Sequence, residues 1–413
     1  MSAQTPDTPM FDVVVVGAGP AGIATALALH HVGATVALAG PPPPATAPAR
    51  PETRTAALLT SSVDFLRRLG VWERLAPDAA PLTAIRIVDA SRSLLRSPDI
   101  AFEARELGLD SFGFNIANAA LNTVLYERAR AVLPRLAPEP VETIDLGPDG
   151  ATLTFQSGEQ LSCRLIAGAD GRRSICREAA QIETRDVRYE QAAIASGFRH
   201  SLPHRGVATE LHREGGSVTS VPTPDQHTSS LVWVTSRKEA EELMALDEAS
   251  FAGRLQERFD ETLGVISDVG PRASFPVAGL TAKQMAANRT ALVGEAAHIM
   301  APIGAQGLNL GLGMRRPWQI VSPMPCAMTA ILAGPGPHPI RQGRQLDVLS
   351  RTVGVDLLGR SLLTKLLPVQ LARSAVLTGL NAFAPLKRMV MQAGLAPPAD
   401  LPRLMRPVDS LPA

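Results

Sequence analysis

Phe11–Ala39 reads FDVVVVGAGPAGIATALALHHVGATVALA. The β-branched run FDVVVV suits a parallel strand covered on both faces. Glycine ends it, IATALALHHVG then has the length and apolar content of a helix, and Ala34–Ala39 forms a second strand. Within Gly17-Ala18-Gly19-Pro20-Ala21-Gly22 each glycine has a physical task. Gly17 makes the tight turn, Gly19 lets backbone approach a pyrophosphate, and Gly22 lets helix and strand pack closely. The helix N-terminus adds free N–H groups that attract phosphate. This order of elements predicts dinucleotide binding. In such units the second strand normally ends in Asp or Glu, which holds ribose hydroxyls. Here it ends Ala39-Gly40 and enters Pro41–Pro44, with no carboxylate between Asp12 and Glu52. The adenosine ribose must be held by backbone, water or another side chain, with Arg50, Glu52 and Arg54 nearest. Weak adenosine anchoring is the consequence.

The rest of the chain sets bounds. Its 413 residues allow two or three domains. With 45% hydrophobic and 19% charged residues it is neither a disordered tail nor a linker. A formal charge of +1 supplies no overall field for nucleic acid. Cys163, Cys176 and Cys326 are widely spaced and form no CxxC pair, which predicts a reducing compartment and no structural metal. The first ten residues carry Asp7 and no Lys or Arg, against a secretory signal, and no apolar stretch has membrane-spanning length. The expected location is the cytoplasm.

Two further motifs join the first. Leu165–Arg177 reads LIAGADGRRSICR, a buried-type strand followed by Asp170-Gly171 and a polar turn into a helix. Ala291–Leu312 reads ALVGEAAHIMAPIGAQGLNLGL, a strand, an acid, and a glycine-rich loop opening a helix. With RTAAL at Arg54–Leu58, FGFNIANAALNTVL at Phe112–Leu125, DVLSRTVGVDLLGRSLL at Asp347–Leu363 and GLAPPADLPRLMR at Gly394–Arg406, the trio resembles the single-component flavin aromatic hydroxylases. Within them it is most similar to the ubiquinone-biosynthesis hydroxylases.

The resemblance implies noncovalent FAD, its pyrophosphate on Gly17, Ala18, Gly19, Pro20, Ala21 and Gly22, with Arg54 and Asn118 along the cofactor. It puts Asp170 and Gly171 in a motif serving FAD and nicotinamide together. Glu295 stands where the family more often has Asp, toward the ribityl or ribose hydroxyls, and Pro302, Gly304, Gln306, Gly307 and Asn309 stand against the isoalloxazine. A helix N-terminus there would stabilise the anion of reduced flavin. The implied activity is hydroxylation of the aromatic ring of a polyprenyl phenol or quinol in ubiquinone biosynthesis, by NAD(P)H and O₂ through a flavin C4a-hydroperoxide. NAD(P)H would be a transient reductant, since no second GxGxxG offers it a fold. Two other readings stand beside it: a flavin monooxygenase of another small aromatic, and a flavin-binding, non-catalytic subunit of a biosynthetic complex. The residues single out no catalytic acid or base. Asp170 alone could merely cap the turn after it. His298 reads as a hydrogen-bonding neighbour, His30 and His31 as solvated surface, Tyr126 and Tyr189 as core, and Trp233 as core or cavity wall.

Short alternating runs over Leu82–Ala90 and Val187–Arg237, divided by Gly and Pro turns, predict an antiparallel sheet, and Lys238–Phe259 a charged, solvated helical stretch. The predicted fold class is α/β: a Rossmann-like FAD-binding domain with an inserted antiparallel-sheet substrate domain and a helical C-terminal region. The FAD-binding domain is assigned 1–80, 106–182 and 286–345, the substrate domain 81–105 and 183–285, and the helical region 346–413. Val353–Leu395 has the pattern of a basic amphipathic helix pair, for an anionic membrane surface, such as the inner membrane, or for packing on the core. Met314–Gln345 departs from the family. It holds Pro317, Pro323, Pro325, Pro335, Pro337 and Pro339, and no acid occurs between Glu295 and Asp347. Such spacing forbids a long helix. It predicts an irregular segment, from two compensating frame shifts or from divergence into a loop, and a hydroxylase weaker than its relatives.

Overall fold

A computed structural model describes residues 10–43, 53–90, 98–213, 215–300, 306–312, 378–379 and 382–395. Met314–Gln345, Pro302, Gly304, Arg50, Glu52 and Cys326 lie outside the described residues.

The first sheet is built on five parallel strands in the order Thr290–Leu292, Gln160–Gly168, Phe11–Val16, Val36–Ala39, Arg135–Ala137. Antiparallel pieces extend it at Ala286–Ala287 and at the Val141–Leu146 and Ala151–Phe155 hairpin. Its central strand is covered on both sides, which is why FDVVVV does not alternate in polarity. Val13 and Val15 pack with Ile23, Leu27, Leu121 and Leu125, while Val14 and Val16 pack with Phe155, Cys163 and Ile166. The Pro20–His31 helix is buried continuously from Gly22 to Leu29. It lies between the sheet and the Asn118–Val132 helix, so it needs an apolar surface all round.

The second sheet runs His298–Ile299, Ala273–Ala282, Thr184–His200, Thr228–Ser236, Gly216–Pro222, Val207–Arg213, Ala84–Asp89, Ile100–Glu103. It is antiparallel as expected, except where Val207–Arg213 pairs in parallel with Ala84–Asp89. That pair joins strands more than a hundred residues apart, a register that alternation within either strand does not encode. One face carries Ile194, Phe198, Leu211, Val218, Leu231 and Trp233 against the Arg237–Ala245 and Glu248–Phe259 helices. The solvated stretch expected at Lys238–Phe259 is therefore two amphipathic helices. Phe251, Leu255 and Phe259, four residues apart, form one buried stripe of the second. Trp233 is core and no cavity wall: it is 1% exposed, its ring 5.7 Å from that of Phe251.

A third, small sheet of Thr55–Leu59, Gly113–Ala117 and Ala80–Pro81 joins the two large ones. Thr53 Oγ1 donates to the Ala195 carbonyl (3.3 Å), Thr55 Oγ1 to Ser230 Oγ (3.1 Å), and Asn115 Nδ2 to the Pro222 carbonyl (2.8 Å). The Ala384–Leu395 helix docks by one edge. Met391 is buried near Ala104 and Phe112, and Lys387 Nζ meets Glu106 Oε1 at 2.7 Å. Phe383, just before this helix, and Leu386, Met389 and Val390 within it stay exposed.

Candidate active site

The three motifs meet at the C-terminal ends of the parallel strands Phe11–Val16, Gln160–Gly168 and Thr290–Leu292, which lie side by side. Open α/β sheets bind ligands outside the carboxyl ends of their strands. Gly17 has φ +114°, and a Cβ there would overlap the Ala169 carbonyl and lie 2.8 Å from Asp170 N. A Cβ on Gly22 would overlap the Gly17 carbonyl oxygen. These two glycines are demanded by the protein itself. Gly19 differs: it is the N-cap of the Pro20–His31 helix, without a side-chain cap, and nothing lies within 4 Å of where its Cβ would project. Open space beside uncapped N–H groups is the cradle a phosphate requires.

The second and third motifs close on the first through backbone. Ala169 N donates to the Val16 carbonyl (2.7 Å), and Val293 N to the Gly168 carbonyl (2.8 Å). Ala21 Cβ is 3.1 Å from where a Cβ of Gly294 would stand and 3.6 Å from that of Gly311, so the Gly294–Ala296 turn and the Gln306–Leu312 helix both sit against the start of the first helix. Ala18 is buried and Ala21 half-buried in the same place.

Asp170 divides its carboxylate. Oδ2 accepts the Cys176 N–H at 3.1 Å, which is the turn-capping role, while Oδ1 is buried with no hydrogen-bond partner among the described residues. A buried carboxylate oxygen left open in this way suits a ligand hydroxyl. Gly171 beside it faces open space, as does Gly307. Glu295 is exposed at the rim. Arg54 is exposed too, its guanidinium 4.9 Å from the Phe275 ring centre, and its carbonyl accepts the Asn118 N–H at 3.1 Å. These two residues, far apart in sequence, therefore lie side by side. Gln306 begins the Gln306–Leu312 helix. The buried Asn309 side chain serves the protein: Oδ1 accepts from Leu59 N (2.9 Å) and Ser62 Oγ (2.8 Å), and Nδ2 donates to the Ala57 carbonyl (2.7 Å). It is a strut between this helix and the third sheet.

Arg177 escaped the reading of the sequence. Buried, it donates to the Ala296 carbonyl (3.0 Å) and the Arg172 carbonyl (2.9 Å), clamping the Asp170 turn to the Glu295 turn. The signal was its place in LIAGADGRRSICR, a charged residue where a short helix packs back on a strand. Burial pushes the Cys163 thiol up to about 12, and burial together with the Asp170 carboxylate pushes Cys176 well above its ordinary value. Both cysteines are free and neutral at physiological pH. His298 is buried on the short strand opposite Thr281. Among the described residues no cluster of His, Cys, Asp or Glu could hold a metal ion.

The open cradle at Gly19 and the unpartnered Asp170 oxygen fit an FAD pyrophosphate and a sugar or ribityl hydroxyl. Residues 10–314 match the family described as FAD binding domain. The ubiquinone hydroxylase UbiL of Rhodospirillum rubrum is 32% identical over 408 residues, covering 96% of this chain and 93% of that protein. The 3-demethoxyubiquinol 3-hydroxylase of Escherichia coli is 28% identical over 304 residues, covering 73% of this chain and 76% of its own length. In fold the chain is similar to p-nitrophenol 4-monooxygenase PnpA from Pseudomonas putida, with a TM-score of 0.72 at 19% identity over 94% of this chain and 98% of that one. The phosphate cradle, the three converging turns and a family match over about three quarters of the residues lead to one statement: the chain belongs to the FAD binding domain family.

Proposed function

We propose that this protein is an FAD-dependent monooxygenase that hydroxylates the aromatic ring of a polyprenyl phenol or quinol intermediate of ubiquinone biosynthesis, with NAD(P)H as transient reductant. The observation that carries the reading is the meeting of an open phosphate cradle at Gly19 with an unpartnered Asp170 oxygen, beneath an antiparallel sheet that can cover a ring. The names of the ubiquinone hydroxylases that it resembles supply the substrate class. Bound FAD, once reduced, supplies the activated oxygen, and the protein supplies placement and exclusion of water. Backbone N–H groups at Gly17–Gly22 would hold the pyrophosphate. Asp170 and Glu295 would take hydroxyls, and the Gln306–Leu312 helix, fixed by Asn309, would face the flavin ring. The two large sheets support a division into an FAD-binding domain and a substrate domain over 81–105 and 183–285, although His298–Ile299 pairs in the second sheet; most of the C-terminal region, 346–413, lies outside the described residues.

Among the described residues no helix is long and apolar enough to cross a membrane. Peripheral contact is the reading favoured for the Ala384–Leu395 helix, whose exposed Leu386, Met389 and Val390, with Phe383 just before it, stand beside Arg388. Apolar side chains flanked by a cation suit an anionic interface. Substrate-dependent NAD(P)H oxidation coupled to a hydroxylated product tests the activity, and bound FAD without such turnover would favour the non-catalytic subunit. Sedimentation with anionic vesicles, weakened by salt, tests the membrane contact, and equal recovery in the supernatant with and without vesicles would refute it.

A further inference from the structure

The Val207–Arg213 strand carries two polar residues that the functional reading leaves unused. Leu211 packs toward the Glu248–Phe259 helix, so alternation along the strand sends Glu210 and His212 to the opposite face. That face meets the FAD-binding half, because Ser230, whose side-chain hydroxyl receives the hydrogen bond of Thr55, is not on the helix-packed side. Cross-strand pairing locates the residues further. Ala195 opposes Val232, Val232 opposes Thr219, and Thr219 opposes Glu210. Glu210 thus lies in the row that Thr53 touches, about 14 Å away across three strand spacings of about 4.8 Å. His212 occupies the next row, with Ser217, Val234 and Ala193.

His212 and Glu210 are both largely shielded from solvent, with side chains 8% and 16% exposed. Nε2 of His212 is 3.0 Å from Glu210 Oε1, yet it makes no aligned hydrogen bond to any described residue. A buried ring nitrogen in this condition is costly unless something else satisfies it. With the proton on Nε2, the pair presents one donor and one acceptor at a single point. A hydroxyl group matches both at once, donating its hydrogen to the carboxylate and accepting the imidazole N–H through its oxygen. An ether or a quinone carbonyl can only accept and would leave the carboxylate unmet.

We propose that His212 and Glu210 recognise the free ring hydroxyl of the aromatic substrate, so that the enzyme selects the phenol or quinol and rejects the quinone or methyl ether. This assignment rests on the aromatic-substrate reading given above and adds to it the residues that read the ring. It also suits the chemistry, because a ring bearing a free hydroxyl is electron-rich and open to attack by an electrophilic oxygen.

The test is binding to the FAD-loaded protein, followed by the flavin difference spectrum, of ortho-prenylphenol and of its methyl ether. The native protein should bind the phenol about tenfold or more tightly than the ether. His212→Phe should bring the two affinities together while flavin content is retained, and Glu210→Gln should lower the ratio in parallel. His212→Gln, whose amide N–H replaces the ring N–H, should keep most of the preference. A merely structural histidine would change stability and leave the ratio alone. An unchanged ratio in His212→Phe overturns the assignment, and if that variant loses flavin, an unchanged ratio in Glu210→Gln does so. A native protein that binds phenol and ether equally also overturns it while leaving the aromatic-substrate reading intact. No spectral response to either compound would overturn that reading and this assignment with it.

Discussion

Gly19 and Gly22 lie three residues apart in one motif, and the structure separates their roles. A Cβ on Gly19 meets nothing within 4 Å, whereas a Cβ on Gly22 overlaps the Gly17 carbonyl oxygen and lies 3.1 Å from its carbon. Gly19→Glu should therefore fold with apo stability within about 0.5 kcal/mol of the native chain, the usual range for an open position. Its carboxylate would stand where the pyrophosphate belongs. Two like charges about 4 Å apart at an effective dielectric of about 20 repel by about 4 kcal/mol, or about a thousandfold in affinity. Gly22→Ala reverses the pattern: forcing a methyl group into packed backbone costs about 1–3 kcal/mol. That lowers the apo melting temperature by about 2–4 °C per kcal/mol in a domain of ~150–250 residues. The assay is thermal unfolding with and without added FAD, alongside flavin absorbance of the purified proteins. The reasoning is refuted if Gly19→Glu purifies fully yellow, or if its apo form melts well below the native apo protein while Gly22→Ala does not.

Three other outcomes are expected. Asn309→Ala removes three protein hydrogen bonds, each worth about 0.5–1.5 kcal/mol, and should lower the melting temperature by several degrees; an unchanged melt would show that the strut is idle. Burial alone would raise the Glu106 carboxyl, but its hydrogen bond and attraction to Lys387 outweigh this and hold it below the ordinary value. A carboxylate depressed on folding stabilises above its unfolded pKa of about 4.3 and loses that contribution as pH falls through its lower folded value. Docking of the Ala384–Leu395 helix should accordingly weaken only in acid, and Lys387→Met should expose it to limited proteolysis at neutral pH; equal cleavage of native and variant chains would argue against the ion pair as its anchor. Cys163 and Cys176 should resist a thiol reagent at pH 8 in a Cys326→Ser chain until the protein unfolds, and rapid labelling in the native state would contradict their burial.

What was legible in the sequence shares one physical property: the constraint was local. FDVVVV followed by the glycine turn specifies its own strand, turn and helix, and the structure has them at Phe11–Val16 and Pro20–His31. Alternating runs declared the second sheet. The parallel pairing of Val207–Arg213 with Ala84–Asp89 was not declared, since it depends on how two distant strands come together. The buried stripe of Phe251, Leu255 and Phe259 had a visible four-residue period, but the surrounding charge of RKEAEELMALDEASFAGRLQERF masked it. Arg177 and Asn309 show the same division within the site. Each acts by joining turns or elements far apart in the chain: the place of Arg177 in its motif marks a charge beside a strand, but neither residue names its distant partner.

The missing ribose acid has a structural counterpart. Gly40 follows the second strand with φ +131°, its N–H given to the Ala137 carbonyl at 2.9 Å, and a Cβ there would stand 3.1 Å from Ala18 N. Any side chain at this position would be strained and would crowd the glycine turn. The chain thus has no carboxylate at the place where dinucleotide folds usually hold the adenosine ribose, and the backbone it has there would not accept one without moving. In the proposed site, binding would then rest on the pyrophosphate end at Gly17–Gly22 and on Asp170, whose buried Oδ1 has no partner among the described residues. A cofactor held at its middle and loosely at its adenosine end dissociates more readily than one clamped along its whole length. In the proposed site the Asp170 turn, braced by Arg177 against the Glu295 turn, would carry more of FAD retention than the second strand does.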